Sequence, residues 1–266
     1  MDEHTFVIPV YNESPYLEDC IKSLLGQTVK SKVIITTSTP SVYIENIAAA
    51  YHIPYIINHS GQTGIANDWN FALANANAKL VTIAHQDDIY DPQFFEIVSK
   101  RIKAANTKNL SIAFTKYANL VNGKTRRVSL NSLVKKTLLL PFAFKRSIGV
   151  KFLKKAVLLF GNPICCPSVT LNMEGLPDFK FETNYQYVLD WYAWYELARH
   201  DGAFMFINKT LIQHRIHTGS ETTAQLNNGI RKGEEQQIFG IIWGKSIAKI
   251  IACVYTLGHK GNITSL

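Results

Sequence analysis

Two adjacent carboxylates, Asp87 and Asp88, follow directly after the short apolar run of residues 80–84. Such a run is typical of a parallel strand covered on both faces, and ligands of open α/β sheets bind just beyond the carboxyl ends of these strands. Two neighbouring anions repel each other, and a divalent cation is one common means of keeping both ionised. The pair therefore predicts a metal site that holds a diphosphate. The alternative is a strand-to-helix loop whose Asp residues serve turns and caps, before a helix that begins at Asp91-Pro92.

The elements that would position this pair are predicted by the first hundred residues, in which short strands alternate with amphipathic helices. The predicted strands are residues 5–8, 32–36, 55–57 and 80–84. The predicted helices are residues 14–25, 41–51 and 64–76. Strands separated by helices of this length predict right-handed βαβ units and a parallel sheet, so we expect a nucleotide-binding, Rossmann-type half.

The second half has a less regular pattern. Its predicted elements are helices at 92–105 and 187–200, strands at 111–117, 168–172, 205–207 and 212–216, and an amphipathic helix at 236–257. The last segment places apolar residues on one face and lysines at helical spacing, which indicates a surface helix and not a membrane span.

The positive charge is confined to one region. The chain carries a formal net charge of +8, yet residues 97–173 contain fifteen Lys or Arg and no Asp or Glu. Between residues 133 and 160 the basic side chains alternate with Leu and Phe. Basic side chains next to apolar ones suit an anionic membrane, where each Lys or Arg near the surface adds about 1 kcal/mol to the binding free energy. A nucleic-acid surface is disfavoured because RNA-binding signatures are missing; a plain solvated face remains an alternative.

Composition bounds the remaining possibilities. The chain has 266 residues, of which 47% are hydrophobic, enough for one large domain. It has no apolar stretch of membrane-spanning length, and its first residues lack the pattern of a signal peptide, so we expect a cytoplasmic protein. The four cysteines are too few for a disulfide framework, and Cys165 and Cys166 have no metal-ligand spacing with a histidine.

Five landmarks occur in order between residues 4 and 223. They are FVIPVYNE at 6–13, GIANDWN at 64–70, HQDD at 85–88, LDW at 189–191 and RIHTGS at 215–220. This ordered set resembles the inverting family 2 glycosyltransferases of the GT-A fold, which move a sugar from a nucleotide diphosphate to an acceptor hydroxyl. Each landmark is weak alone, and the order is what makes the set specific.

The resemblance implies a nucleotide-sugar donor and a divalent metal. The implied donor-binding residues are Pro9, Tyr11, Asn12, Glu13, Ser38, Asn67, Asn70, Gln86 and Arg215. Asp87, Asp88 and His217 are the implied ligands of Mn²⁺ or Mg²⁺, and an imidazole ligand would favour Mn²⁺. Alternatively, His217 is an edge-strand histidine bonded to a nearby loop, and Arg215 pairs with a surface carboxylate instead of a phosphate.

The implied catalytic base is Asp190, in the place of the family's Glu-Asp-Trp element. Inversion requires attack by an acceptor hydroxyl opposite the leaving group, and that hydroxyl needs a proton acceptor. The alternative is that Asp190 caps the following helix. The aromatic residues Trp191, Tyr192, Trp194 and Tyr195 would form either a platform for an acceptor sugar or a part of the core.

Three departures from the family pattern concern the donor and the acceptor. The loop at residues 36–40 lacks the Asp that reads uracil in the family, which leaves the base of the nucleotide open. His85 replaces an Asp at the first position of the metal motif, and Leu189 replaces the Glu before the proposed base.

Together these features predict an α/β protein with a GT-A, Rossmann-like, mixed and mostly parallel sheet flanked by helices. The expected layout is a GT-A domain at 1–225, divided into a nucleotide-sugar half at 1–105 and an acceptor half at 106–225. A basic amphipathic insertion lies at about 124–160, and a C-terminal amphipathic helical segment spans 226–266.

The expected function is transfer of a sugar from a nucleotide diphosphate sugar, with a UDP-sugar as the expected donor, to a saccharide on a lipid carrier, in the synthesis of a cell-surface polysaccharide. The protein would lie on the inner face of the cell membrane, bind no nucleic acid, and have an oligomeric state that the sequence leaves open. The rivals are a non-catalytic membrane-binding or partner-binding module, and a nucleotidyltransferase. The latter requires a glycine-rich phosphate loop after the first strand, where this chain has PVYN at 9–12.

Overall fold

A computed structural model describes residues 2–105, 109–126, 130–217 and 229–248, together with Ile251. The strands are β1 Asp2–Val10, β2 Lys32–Thr37, β3 Tyr55–Ile57, β4 Ala78–Ile83, β5 Ile89–Tyr90, β6 Leu110–Val121, β7 Lys124–Arg126, β8 Ser147–Ile148, β9 Val169–Asn172 and β10 Ala203–Ile216. The helices are α1 Leu17–Leu25, α2 Val42–Ala50, α3 Ile65–Asn75, α4 Phe94–Ala105, α5 Leu130–Leu138, α6 Pro141–Phe144, α7 Lys151–Ala156, α8 Leu189–Arg199 and α9 Gly229–Trp243.

These strands form one sheet in the order β3-β2-β1-β4-β9-β6-β10-β5, with β7 beside β6 and β8 beside β10. The longest ladders, β1 with β2 and β6 with β10, are parallel. Strand β9 runs antiparallel between β4 and β6 and joins the two halves of the sheet. The predicted mixed, mostly parallel sheet flanked by helices is confirmed.

Both faces of β1 are buried, as its sequence of consecutive apolar residues requires. Phe6 and Ile8 pack into the core beneath α1, whereas Val7 faces the other core together with residues of α3. Full burial of one such side chain contributes roughly 1.5–3 kcal/mol. Packing from both sides therefore fixes the carboxyl end of β1, where the first candidate loop begins.

Strand β10 differs from the prediction in its length and continuity. Residues 205–207 and 212–216 were predicted as two strands, but the structure has one strand with register shifts between Ile207, Thr210 and Ile212. The polar residues in this interval are accommodated as bulges because the strand stays paired with β6 on both sides of them. This continuity carries the end of β10 to the candidate site.

The C-terminal helix also differs from its predicted bounds. The first helical stretch begins at Gly229 and ends at Trp243, before Gly244 with its φ of 79°, and residues 245–248 are helical again, so the predicted single helix at 236–257 begins earlier and is interrupted. The part of that prediction at 249–250 and 252–257 lies outside the described residues. Within the described part of the chain, no helix combines the length and apolar character needed to cross a membrane.

Lys154, on α7 of the basic region, points into the protein. Its side chain is fully buried, and its ammonium donates hydrogen bonds to the carbonyl oxygens of Leu197 at 3.2 Å, His200 at 2.7 Å and Gly202 at 2.6 Å. These carbonyls belong to the last turn of α8 and to the residues just after it, where the helix leaves carbonyl groups short of backbone donors. The sequence prediction that Lys154 belongs to the exposed basic face is therefore wrong, because α8 needs this cation.

We predict that Lys154→Met lowers the free energy of unfolding by about 2–4 kcal/mol, because three carbonyl oxygens lose the ammonium group as a donor. Lys155→Met is the matched control on the same helix, and its expected change is within about 0.5 kcal/mol. Urea denaturation followed by circular dichroism measures both. Equal effects of the two substitutions would show that Lys154 has no special role.

Candidate functional site

Two loops meet beyond the carboxyl ends of β1 and β2. The parallel register aligns Val10 with Thr37, so the residues that follow these strands are neighbours. The backbone N–H of Asn12, at a positive φ of 54°, donates to Thr39 Oγ1 at 2.6 Å and ties the first loop to the second. The edge of the sheet therefore presents a preorganised surface at this point.

The loop after β4 is tied to the same surface. The amide group of Gln86 accepts from the backbone N–H of Tyr11 at 3.2 Å and donates to its carbonyl at 3.1 Å. Tyr11 itself stays half exposed. The sequence-predicted residues Tyr11, Asn12, Ser38 and Gln86 thus lie along one edge of the sheet.

Asp88, at the end of the β4 loop, is fully buried. One carboxylate oxygen lies 3.0 Å from Nδ1 of His214 and accepts the backbone N–H of Arg215 at 2.9 Å. Burial raises the pKa of Asp88, but the charge and hydrogen bond of His214 outweigh it and lower the pKa overall. Asp88 is therefore an anion at neutral pH, and the end of β10 supplies its partners.

Asp87 lies beside a second histidine of the same segment. Its carboxylate is 3.1 Å from Nε2 of His217, the third ligand predicted from the sequence. His214 was not predicted, although its position three residues before His217 could have indicated it. The remaining residues of that landmark, 218–220, lie outside the described residues.

His85 completes a group of three side chains with suitable ligand atoms. Each of His85, Asp87 and Asp88 offers one such atom, and these atoms lie within 4.8 Å of one another. Nε2 of His85 is buried and has no hydrogen-bond partner among the described residues, and burial lowers the pKa of the ring, which keeps it neutral. An unpartnered neutral imidazole beside two carboxylates fits a divalent cation, and Mn²⁺ accepts this mixed donor set.

Arg215 lies under the same loop. Its Nε donates to the carbonyl of Asp87 at 2.9 Å, and its guanidinium reaches Asp19 at 3.1 Å and lies 4.3 Å from the centre of the Tyr16 ring. The carboxylate alternative raised by the sequence is thus present. The pair with the exposed Asp19 is weak, as surface ion pairs are, so a phosphate can displace it.

Asp190 lies in the first turn of α8. Its carboxylate accepts from the backbone N–H of Trp191 at 2.7 Å and from Nδ2 of Asn162 at 2.8 Å. Burial nevertheless raises its pKa from 3.8 to about 6. A carboxylate with such a pKa accepts a proton near neutral pH, which suits a general base.

The segment that leads into α8 is held by a residue that the sequence did not indicate. The carboxylate of Glu234, on α9, accepts the backbone N–H groups of Gln186, Tyr187 and Val188 at 2.9, 2.8 and 3.2 Å. Glu234 thus binds the backbone at and before the N-cap of α8, while Asp190 accepts a first-turn N–H, as its capping alternative requires. Only the fold brings these two segments together, so no local pattern could have shown it.

Asp88 and Asp190 both act on the same two cysteine thiols. Burial raises the pKa values of the Cys165 and Cys166 thiols, and both Asp88 and Asp190 raise them further. Lys135, on α5, lowers the pKa of Asp190 and of His214. Asp190, Asp88 and Lys135 are thus all near enough to Cys165 to act on the pKa of its thiol.

Other predicted residues have structural partners. Asn70 exchanges hydrogen bonds with the backbone of Phe181 at 2.9 and 2.7 Å, and Asn67 donates to the carbonyl of Thr63. Trp191 and Trp194 are buried in the core, which favours the core alternative for these two side chains.

Comparison with known proteins places these features in a family. The sequence model described as "Glycosyl transferase family 2" matches residues 5–176. An uncharacterized glycosyltransferase of Rickettsia prowazekii is 26% identical over 227 residues, which cover 84% of this chain and 67% of that protein. An uncharacterized glycosyltransferase of Haemophilus influenzae is 22% identical over 236 residues, covering 84% of this chain and 68% of that protein.

Solved structures show the same fold. The crystal structure of S. aureus TarS superimposes with a TM-score of 0.60 at 13% identity, over 91% of this chain and 71% of that chain. The complex of TarS with UDP gives a TM-score of 0.59 at 15% identity, over 90% of this chain and 70% of that chain. The complex with UDP-GlcNAc gives 0.59 at 14% identity, over 91% and 72%. The predicted GT-A fold is confirmed.

Proposed function

The chain belongs to glycosyl transferase family 2, and from this premise we propose that it transfers a sugar from a nucleotide diphosphate sugar to a saccharide acceptor, with inversion. The observation that carries the proposal is that Asp88 and Asp190, which both raise the pKa values of the Cys165 and Cys166 thiols, have pKa values shifted in opposite directions. One carboxylate stays charged for binding, and the other is poised to accept a proton. A UDP-sugar is the proposed donor, because solved structures of the same fold contain UDP and UDP-GlcNAc.

Asp87, Asp88 and His85 would hold the divalent cation, and His217 lies within hydrogen-bond distance of Asp87 beside them. When bound, the cation neutralises charge on the leaving diphosphate. Arg215 lies next to this position and would exchange Asp19 for a phosphate oxygen through its planar fork.

Asp190 would act on the acceptor. As the acceptor oxygen forms its bond to the anomeric carbon, the bond to the diphosphate oxygen breaks, and the hydroxyl proton moves to a carboxylate oxygen of Asp190. Asn162 holds this carboxylate by a hydrogen bond that favours its charged form. Attack from the side opposite the leaving group gives inversion.

We predict that Asp87→Asn and Asp88→Asn each abolish Mn²⁺-dependent binding of UDP, because the cation loses an anionic ligand. Asp178→Asn, at an exposed position, is the control and should bind as the wild type does. Isothermal titration with and without Mn²⁺ measures the effect. Unchanged metal-dependent binding in both site variants would refute the metal assignment.

We predict that Asp190→Asn lowers kcat by about 10²–10⁴-fold and leaves donor affinity intact, because only proton transfer is lost. Glu196→Gln, on the same helix, is the control and should retain wild-type turnover. In the wild type, kcat/KM should fall as the pH drops through about 6, where Asp190 becomes protonated. Asn162→Ala should move this acid limb to higher pH, and an unmoved limb would contradict the assignment.

The acceptor is proposed to be carried by a lipid at the inner face of the cell membrane. Phe144 is 92% and Phe152 71% exposed, and the basic residues Lys145, Arg146 and Lys151 on the same short stretch are exposed as well. Aromatic side chains flanked by cations fit the headgroup region of an anionic bilayer. This stretch replaces Lys154 as the proposed membrane contact.

We predict that Phe144→Ser combined with Phe152→Ser lowers binding to liposomes containing anionic lipid by about tenfold or more, because buried apolar area is lost. Val42→Ser, at an exposed apolar position on α2, is the control and should bind like the wild type. Co-sedimentation with and without 0.5 M salt distinguishes apolar from ionic contributions. Equal sedimentation of all three proteins would exclude this surface.

A further inference from the structure

Three polar atoms at the contact of β2 with α3 are buried and lack a hydrogen-bond partner within the described part of the chain. They are Thr36 Oγ1, Ser38 Oγ and Asp68 Oδ1. Strand alternation places Thr36 on the same face as Ile34, which packs with the α3 residue Ala66, and Ser38 follows directly after β2. Buried polar groups are normally satisfied, so such a cluster indicates a missing partner.

Asp68 is the one acidic residue of this cluster, so the lack of a hydrogen-bond partner costs most free energy there. It is 8% exposed, burial raises the pKa of its carboxyl group, and the nearby Ser38 hydroxyl lowers that pKa. The hydroxyl lies beside the carboxyl group without the geometry of a full hydrogen bond. One carboxylate oxygen and one hydroxyl are thus held together, both able to bond a ligand.

This cluster lies at the correct end of the sheet for a nucleotide. Ser38 follows β2, the exposed Tyr11 follows β1, and Asp87 lies in the loop after β4. Neighbouring strands are about 4.8 Å apart, so the ends of β2 and β4 are separated by about 10 Å. A nucleoside diphosphate with its phosphates at the cation site therefore extends over Tyr11 toward Ser38 and Asp68.

We propose that Asp68 and Ser38 read the base of the donor, and that they select a base with a ring N–H next to a carbonyl group. The proposal rests on the function proposed above. The Asp68 carboxylate accepts the ring N–H, the Ser38 hydroxyl donates to the carbonyl oxygen, and the exposed ring of Tyr11 offers a face for stacking. Asp68 thereby supplies, from a helix, the carboxylate that the loop at 36–40 lacks.

This chemistry distinguishes the bases. Uracil presents N3–H beside O4, and guanine presents N1–H beside O6. Cytosine N3 and adenine N1 carry a lone pair at the corresponding position, which a carboxylate repels. An Asn side chain at position 68 can donate as well as accept, so it removes the repulsion toward cytosine.

The test compares UDP, GDP, CDP and ADP by isothermal titration in Mn²⁺, with the wild type, Asp68→Asn, Ser38→Ala and the control Glu45→Gln, an exposed acid on α2. We expect the wild type to prefer UDP or GDP, and the stronger of the two identifies the base. Asp68→Asn should weaken that nucleotide about tenfold to a hundredfold and strengthen CDP. Ser38→Ala should weaken it by a smaller factor, and Glu45→Gln should change nothing.

The experiment distinguishes failure of the base-reading proposal from failure of the proposed function. If Asp68→Asn binds all four nucleotides as the wild type does, the base-reading assignment is wrong, and the glycosyltransferase proposal stands. If the wild type binds none of the four in Mn²⁺, the proposed donor class is wrong and the base-reading assignment falls with it. Thermal unfolding of each variant without nucleotide verifies that the substitutions preserve the fold.

Discussion

The burial of a charged Asp88 is the constraint on which the candidate site depends. A carboxylate removed from water must be compensated by hydrogen bonds and opposite charge. Here both come from the end of β10, through His214 and the backbone of Arg215. The strand that closes the second half of the sheet must therefore reach the loop after β4. A single interaction thus couples the nucleotide-binding half of the protein to the remainder.

The second carboxylate, Asp190, is partly buried in a different environment. Among the described residues it has N–H donors and no directly bonded cation, and burial dominates its pKa. Its helix is fixed at both ends by residues distant in sequence, Glu234 at the beginning and Lys154 at the end. The different partners explain why two aspartates on one site have pKa values shifted in opposite directions, which is what binding and proton transfer require.

The basic region has three roles in the structure and not one. Lys154 turns inward to α8, Lys135 acts on the pKa of Asp190, and the stretch around Phe144 faces outward. Its net charge alone indicated only an anionic partner. The charge is divided between structural support, the site and the proposed membrane surface, so a substitution of all its lysines would combine unrelated effects.

The sequence by itself determined the α/β fold, the carboxylate pair at the end of β4 and the family, because these follow from local periodicity and from short motifs in order. Adjacent residues such as Asp87 and Asp88 meet in any fold. Only the tertiary structure decided that Asp88 pairs with His214, that Glu234 binds the backbone leading into α8 and that Lys154 is buried, since each of these contacts joins segments more than forty residues apart. It also brought Asp68 to Ser38, because the packing of α3 on β2 is set by the two-sided core and not by the sequence near either residue.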